Sequence, residues 1–307
     1  MEEKMKIAIL NKYQSKVNRG AETFVSELSK RLSKNHQVDT LTRINFLKRY
    51  DLIIPTNGRL QVFLVRVFSW LTNSKMIVSG QSGIGLDDRL NLYAMPNAFI
   101  ALSLKALNRA KKVNPFVKSV YIPNGVDLKK FTFKGENLQG RRTILSVGAF
   151  TEQKRHELVI KAVAKLKDVK LIIAGGGGDL RNKIYELGIK SLGKERFQII
   201  ETVNNKMPEI YNRADVFTLA SKTTESFGIV LVEAMASGLP VVATDDPIRR
   251  EIVGNAGLFV DPTDTDSYAK SIEEALNTDW KDLPRKQAEK FDWDMIAQKY
   301  EDLFKTL

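Results

Sequence analysis

Thr223-Thr224-Glu225-Ser226-Phe227-Gly228-Ile229-Val230-Leu231-Val232-Glu233-Ala234-Met235-Ala236-Ser237-Gly238-Leu239-Pro240-Val241-Val242-Ala243-Thr244 reads in order as loop, helix, stop and strand. An apolar helix follows Gly228 and ends at Gly238 and Pro240, residues that commonly stop helices. The β-branched run Val241–Thr244 then reads as a buried strand. Glu225 therefore lies in a loop at a strand end, Gly228 opens the helix, and Glu233 sits inside it. The first N–H groups of a helix lack intrahelical partners, and with no side chain on Gly228 they offer a place for a phosphate. Glu233 lies about five residues in, roughly 7–8 Å along the axis, and its side chain leans back toward the N-terminus. A carboxylate there suits a ribose while the Phe227, Gly228 and Ile229 amides hold a diphosphate. Glu225 would face the group beyond the diphosphate. Two glutamates at this spacing arise often by chance. Their surroundings carry more weight, because Glu233 interrupts an apolar helix, where a carboxylate needs a partner.

Working outward, the second half alternates strands with helices. Its strands are expected at Thr143–Val147, Val169–Ala174, Phe197–Ile200, Val216–Leu219, Val241–Thr244 and Leu258–Val260. The first half shows the same alternation. Strands are expected at Lys6–Leu10, Val38–Thr42, Asp51–Ile54, Met76–Val78, Ala98–Leu102 and Val120–Ile122, with helices over Gly20–Lys34 and Arg59–Leu71 and a basic helix ending at Lys112. Alternation of this kind implies parallel βαβ units. Residues 126–141 carry Gly135, Gly140 and mixed charge and read as a linker. The fold class is α/β, with two Rossmann-like domains whose parallel sheets face a central cleft. Ligands are expected outside the strand C-termini.

The glutamate segment resembles the E-x7-E signature of retaining, nucleotide-sugar-dependent glycosyltransferases of family 4, which have the GT-B fold. Three other segments agree, in the same order along the chain. Tyr121-Ile122-Pro123-Asn124-Gly125-Val126-Asp127 resembles the family's inter-domain phrase. Ile144–Arg155 resembles its first strand and phosphate-binding loop. Arg19-Gly20-Ala21-Glu22 opens a helix where the family has a Gly-rich loop. The likeness is stronger from residue 121 onward. It implies residues 1–125 as an acceptor-side domain and 142–290 as the nucleotide-sugar domain, with a C-terminal helix, 291–307, crossing back to the first. It implies Glu225 and Lys154 as catalytic residues. It implies Gly20, Gly148, Lys154, Phe227, Gly228, Ile229 and Glu233 as donor-binding residues, with no metal and no cofactor. The donor would be a UDP- or GDP-sugar, and the acceptor a glycan or a lipid-linked molecule. Two positions depart from the pattern: Ala149 stands where the family usually has Arg, and Gln81 where it often has His. Lys154, with Arg155 nearby, is then left to neutralise the diphosphate.

Other groups read more plainly. Gly175–Gly178 lacks both the G-K-[ST] ending and the G-x-G-x-x-G spacing of phosphate loops, so a flexible turn on the nucleotide side is expected. Asp87-Asp88 and Asp245-Asp246 are adjacent carboxylates, which point apart and do not make a metal cage. His36 lies in a polar turn and is expected at the surface. His156 neighbours the Lys154 loop. Arg59–Leu71 is apolar on more than one face, which suits either a core helix or an interfacial one.

The chain has 307 residues, enough for two cores, and no cysteine. Its acidic N-terminus does not read as a signal peptide, and no apolar run reaches the roughly 18–20 residues of a membrane span. Residues 1–125 hold 20 Lys/Arg and 8 Asp/Glu, and the remainder holds 28 of each, so the whole net charge of +12 belongs to the first half. An excess placed in this way points to an anionic partner, and an anionic membrane surface is expected for residues 1–125. No basic-aromatic motif supports nucleic acid as the partner. The expected location is the cytoplasm, peripheral at the inner face of the membrane. Rival readings are a sugar-nucleotide-binding protein without catalysis, suggested by Ala149 and Gln81, and a non-hydrolysing sugar-nucleotide epimerase on the same architecture.

Overall fold

The computed structural model describes residues 4–12, 20–56, 58, 60–81, 85–132, 142–201 and 206–307. Two compact units divide the chain, Met1–Gly125 with Trp293–Leu307, and Val126–Asp292.

In the first unit, strands β1 (Lys6–Leu10), β2 (Gln37–Leu41), β3 (Leu52–Pro55), β4 (Lys75–Ser79), β5 (Ala98–Ala101) and β6 (Ser119–Tyr121) form one parallel sheet. Their spatial order is β2-β1-β3-β4-β5-β6. Side chains alternate across it. Ile7, Ile9, Leu52 and Ile54 pack toward helices α1 (Gly20–Leu32) and α12 (Trp293–Phe304). Ala8, Leu10 and Ile53 pack toward α2 (Leu60–Thr72) and α4 (Leu104–Val113). With both faces covered, the inner strands β1, β3, β4 and β5 are buried along nearly their whole length, whereas the edge strands β2 and β6 are half-buried and carry polar residues. Phe24, Val25, Leu28 and Leu32 form the buried stripe of α1. The C-terminal helix α12 seats Trp293 against Gly125, where a Cβ would come within 2.6 Å of the indole.

The second unit has strands β7 (Arg142–Val147), β8 (Val169–Ala174), β9 (Phe197–Ile200), β10 (Val216–Leu219), β11 (Val241–Thr244) and β12 (Gly257–Val260). These are also parallel, in the order β12-β11-β10-β7-β8-β9. The chain winds outward from β7 through β8 to β9, then returns to the other side of β7 for β10, β11 and β12. The winding reverses between β7 and β10, and the crevice outside their C-terminal ends is where such sheets bind ligands.

Three expectations change. Residues 126–132 of the expected 126–141 linker are built into the second unit. The Val126 amide donates to the Phe291 carbonyl at 2.8 Å, and the Arg285 guanidinium donates to the carbonyls of Leu128 (2.9 Å) and Phe131 (2.6 Å). Residues 133–141 lie outside the described residues. His36 is buried, not at the surface. Its Nδ1 accepts from the Met5 amide, and its Nε2 lies 2.6 Å from Glu301 on α12, a partner 265 positions away that local sequence does not reveal. Gly175–Gly178 packs against the loop after β7. A Cβ on Gly175, which has a φ of 153°, would lie 2.2 Å from the Gly148 carbonyl oxygen, and the Phe150 amide donates to the Gly177 carbonyl at 2.8 Å. Close approach of two backbones explains Gly175 and Gly178, the latter 2.2 Å from the Phe150 carbonyl oxygen if given a Cβ, whereas a Cβ on Gly176 or Gly177 would meet nothing within 4 Å.

Candidate functional site

At the crevice between β7 and β10, the loop after β7 runs from Gly148 to Arg155, and the loop after β10 runs from Ala220 to Gly228. Several bonds tie the two loops together. Arg155 donates to the carbonyls of Ala220 (2.6 Å) and Ser221 (3.2 Å), and the Lys222 amide donates to the Gln153 carbonyl at 2.9 Å. Arg155 is therefore committed to backbone carbonyls, which leaves Lys154 as the cation of this loop turned to a carboxylate. Its stem lies along Gly148, where an added Cβ would meet Lys154 Cδ at 3.0 Å.

Lys154 Nζ donates to Glu225 Oε1 at 2.6 Å. The other carboxylate oxygen, Oε2, accepts from Ser221 Oγ at 2.6 Å and lies 3.5 Å from the Arg249 guanidinium. Burial pushes the Glu225 carboxyl up. The Lys154 charge and hydrogen bond, the Ser221 hydroxyl and the Arg249 charge outweigh it and hold the group below the usual carboxylate range. Two sequence candidates separated by 71 positions thus meet in one ion pair.

Helix α8 (Ile229–Ala236) starts directly after this loop. Gly228 is its N-cap with φ 87° and ψ 66°, a left-handed conformation that suits glycine. Its carbonyl accepts from the Leu231 amide at 2.9 Å. The start of α8 thus adjoins the Lys154–Glu225 pair, where helix-end N–H groups favour an anion.

Glu233, on α8, faces helix α7 (Met207–Tyr211). The buried Tyr211 hydroxyl donates to Glu233 Oε2 at 2.8 Å. Burial pushes the Glu233 carboxyl up to about 7, and the Tyr211 hydrogen bond and the Lys130 charge oppose it only in part. Tyr211 itself is held well above the usual phenol range by burial and by Glu233. Behind the β7 loop, His156 is buried and pushed down to about 4, mainly by burial, so it is neutral at physiological pH.

Of the predicted site residues, Gly148, Lys154, Glu225, Phe227, Gly228, Ile229 and Glu233 lie on these elements of the second unit. Gly20 begins α1 in the first unit. Gln81, also in the first unit, forms a reciprocal amide pair with Asn124 at 3.1 and 3.2 Å. Sequence reading missed Tyr211, Ser221 and Arg249. For Arg249 a local signal existed. Asp246-Pro247 marks a helix start, and Asp246 and Arg249 stand three apart on one helix face. In the structure Asp246 caps α9 (Pro247–Val253) and pairs with Arg249, while Asp245 pairs with Arg250. The adjacent aspartates thus hold arginines. Among the described residues no cluster of three or more His, Asp or Glu side chains could hold a metal ion.

Across 99% of the chain, this structure matches that of Anabaena HepE in complex with UDP and glucose, with a TM-score of 0.82 and 18% identity, covering 100% of that chain. It matches sucrose-phosphate synthase from Thermosynechococcus elongatus equally well, with a TM-score of 0.82 and 19% identity over 99% of both chains. The fold is GT-B. A family model described as glycosyl transferases group 1 matches residues 129–292. The chain belongs to that family. It is similar to a phosphatidyl-myo-inositol mannosyltransferase of Mycolicibacterium smegmatis, with 31% identity over 62% of this chain and 52% of the relative. An uncharacterized glycosyltransferase of Methanocaldococcus jannaschii is 29% identical over 73% of this chain and 65% of the relative. A Campylobacter jejuni N-acetylgalactosaminyltransferase, whose name includes a diphospho-undecaprenol acceptor, is 32% identical over 57% of this chain and 50% of the relative. The chain thus spans between half and two thirds of the length of these curated relatives.

Proposed function

We propose that this chain is a retaining, metal-independent glycosyltransferase that moves a sugar from a UDP- or GDP-sugar to an acceptor hydroxyl. The observation that carries this reading is the Lys154–Glu225 pair beside the glycine-capped start of α8, at the reversal point of the second sheet. The bond from the anomeric carbon to the diphosphate oxygen breaks and its electron pair leaves with the diphosphate, while the acceptor hydroxyl oxygen bonds the anomeric carbon and its proton passes to the departing diphosphate oxygen. Lys154 and the Phe227, Gly228 and Ile229 amides receive the growing charge, as preorganised donors do in a partly dry site. Glu225 positions the sugar, Glu233 holds the ribose, and Gly20 and Gly148 keep backbone close to the donor. The test is release of free nucleoside diphosphate from a panel of labelled UDP- and GDP-sugars, alongside thermal shifts with each. A cognate donor should raise apparent stability by mass action, about 2.7 kcal/mol at a hundred times its Kd. If no sugar nucleotide binds or turns over, the reading fails. Binding without turnover would favour the non-catalytic alternative.

The acceptor we propose is lipid-linked, presented at the cytoplasmic face of a membrane. Named relatives act on phosphatidyl-myo-inositol and on a diphospho-undecaprenol carrier. The support within this chain is α2. Val62, Val65, Phe68 and Ser69 are buried, yet Leu60, Phe63, Leu64, Val67, Trp70 and Leu71 are exposed, Trp70 at 66% and Leu71 at 82%. Phe46, also exposed, packs edge-on against Phe68 beside this helix. The Arg66 guanidinium stacks on Trp70 at 4.9 Å, and Lys75 is exposed one turn beyond the helix. Arg59 lies outside the described residues. From residue 43 to 75 the chain carries six Lys/Arg and a single acid, Asp51. An apolar stripe with cationic flanks fits an anionic lipid surface. No described helix is long and apolar enough to cross a membrane. Co-sedimentation with anionic liposomes should occur at low salt, weaken at high salt, and drop in a Leu64→Ser/Trp70→Ser variant. Absence of binding to anionic liposomes at low salt would remove the membrane from this proposal.

A further inference from the structure

Arg249 is 1% exposed and among the largest fully buried side chains of the chain. A buried guanidinium persists only where several acceptors meet it. Its amino groups reach Ser221 Oγ at 2.6 Å, the Lys222 carbonyl at 3.0 Å and the Asp246 carboxylate. Asp246 is itself buried, and it also accepts from the Ile248 and Arg249 amides at 2.8 and 3.2 Å. The guanidinium is therefore pinned between α9 and the loop after β10, with Glu225 Oε2 3.5 Å away. Lys154 is held differently. It sits on a flexible four-carbon stem along Gly148, and Glu225 is its ion-pair partner. The Lys154 ammonium meets Glu225, whereas the Arg249 guanidinium is also fixed by Ser221, Lys222 and Asp246.

We propose that Arg249 is a positioning residue that serves as the standing counter-ion of Glu225, so that Lys154 can leave the carboxylate for the donor diphosphate. The inference rests on the reading of this site as a sugar-nucleotide site. In the ligand-free protein both cations neutralise Glu225. When a nucleoside diphosphate enters, the Lys154 ammonium swings to the phosphates, and Oε1 is released toward the sugar. Arg249, with the Ser221 hydroxyl, keeps Oε2 ionised and the carboxylate in place. No bond is made or broken in this exchange, and no proton moves. The charged groups near Glu225 are Lys154 from the β7 loop and Arg249 from α9, with Asp246 behind Arg249. His156, behind Lys154, is neutral.

The exchange has a signature that a purely structural arginine lacks. Without Arg249, ligand binding strips Glu225 of its remaining cation, and the carboxylate takes up a proton from solvent. Calorimetric titration with UDP and with GDP, in buffers of different ionisation enthalpy, counts protons taken up on binding. The wild type sets the baseline. Arg249→Met should take up as much as about one proton more than the wild type near neutral pH. Arg249→Lys, which keeps the charge, should return toward the baseline, and Arg249→Met/Glu225→Gln should lie on it. Equal proton counts in wild type and a folded Arg249→Met overturn the proposal. If Arg249→Met does not fold, Lys154→Met poses the same question, with its glutamate carboxyls observed by 13C NMR. Glu225 facing Arg249 alone should be ionised at pH 6, and a protonated Glu225 there overturns the inference. Failure of the wild type to bind either nucleotide is a separate outcome. It refutes the sugar-nucleotide reading and the counter-ion role with it.

Discussion

Glu225→Gln should lower kcat and kcat/KM together, by roughly 10²–10³-fold or about 2.7–4 kcal/mol, the scale measured when a preorganised group acting on transition-state charge is removed. Glutamine keeps the shape and an acceptor for Ser221 but not the charge that pairs with Lys154. Nucleoside diphosphate affinity should change little if, as proposed, the amides at the start of α8 and Lys154 hold the diphosphate. Lys154→Ala should reduce kcat on the same scale and should also weaken nucleoside diphosphate binding, which distinguishes the two residues. Neither change should unfold the protein. Both side chains are partly exposed, at 18% and 15%, and Arg249 and Ser221 still serve Glu225 Oε2 after Lys154 is gone. A loss of about 1–3 kcal/mol is expected for Lys154→Ala, the scale of removing one partner of a mostly buried charged group that keeps others. Glu225 is held below the ordinary carboxylate range, so its contribution to stability is present above that range and fades only as pH falls through its lowered value. Kinetics and thermal melts on the same samples decide the matter. A large drop in melting temperature with normal turnover in the residual folded protein would make the pair structural.

The fold was legible because its signals are local and repeated. Apolar runs such as Val169–Ala174 and Val241–Thr244, alternating with helices, leave little choice but parallel βαβ units, and those two strands occur at the expected residues. Gly228 and Gly238 likewise marked the limits of α8. What escaped notice lies in contacts distant in sequence. His36 looked like a surface residue because the helix that covers it comes 265 positions later. Tyr211 carries no motif, and its role as the partner of Glu233 depends on α7 lying beside α8. Arg249 and Arg250 stand side by side in α9. One arginine of that pair does face solvent and pairs with Asp245 across the surface. Its neighbour turns inward, because Asp246 caps the helix and is buried with it. Adjacent side chains on a helix point in different directions, and composition alone does not say which one is buried. Gly175 and Gly178 were misread for a related reason. Glycine is required both for flexibility and for close backbone approach, and only the neighbouring loop tells the two apart.

Glu233 supplies the second large effect, and it brings a pH dependence. A carboxylate holding ribose hydroxyls makes charge-assisted hydrogen bonds, so Glu233→Ala should weaken nucleotide binding by about 1.5–3 kcal/mol. That corresponds to roughly 10- to 150-fold in Kd. In the free protein Glu233 has a pKa of about 7, raised by burial. For folding, the sign is that of a raised carboxyl. The protonated form suits the folded state, and the stability it contributes is complete below the ordinary carboxylate value and is lost as pH rises through about 7. Nucleotide binding has the opposite sign. Ribose favours the ionised form, so below about pH 7 binding must first expel a proton, and affinity should fall by up to about tenfold per pH unit as the medium is acidified. Glu233→Gln keeps an acceptor for the Tyr211 hydroxyl but does not titrate, so its weaker binding should be flat across this range. Isothermal titration of wild type, Glu233→Gln and Glu233→Ala with UDP and GDP between pH 5.5 and 8.5 reads both the affinity and its slope. Unchanged affinity in a folded Glu233→Ala would end the ribose role. A wild-type affinity independent of pH would mean that Glu233 meets the nucleotide in the same protonation state it has in the free protein.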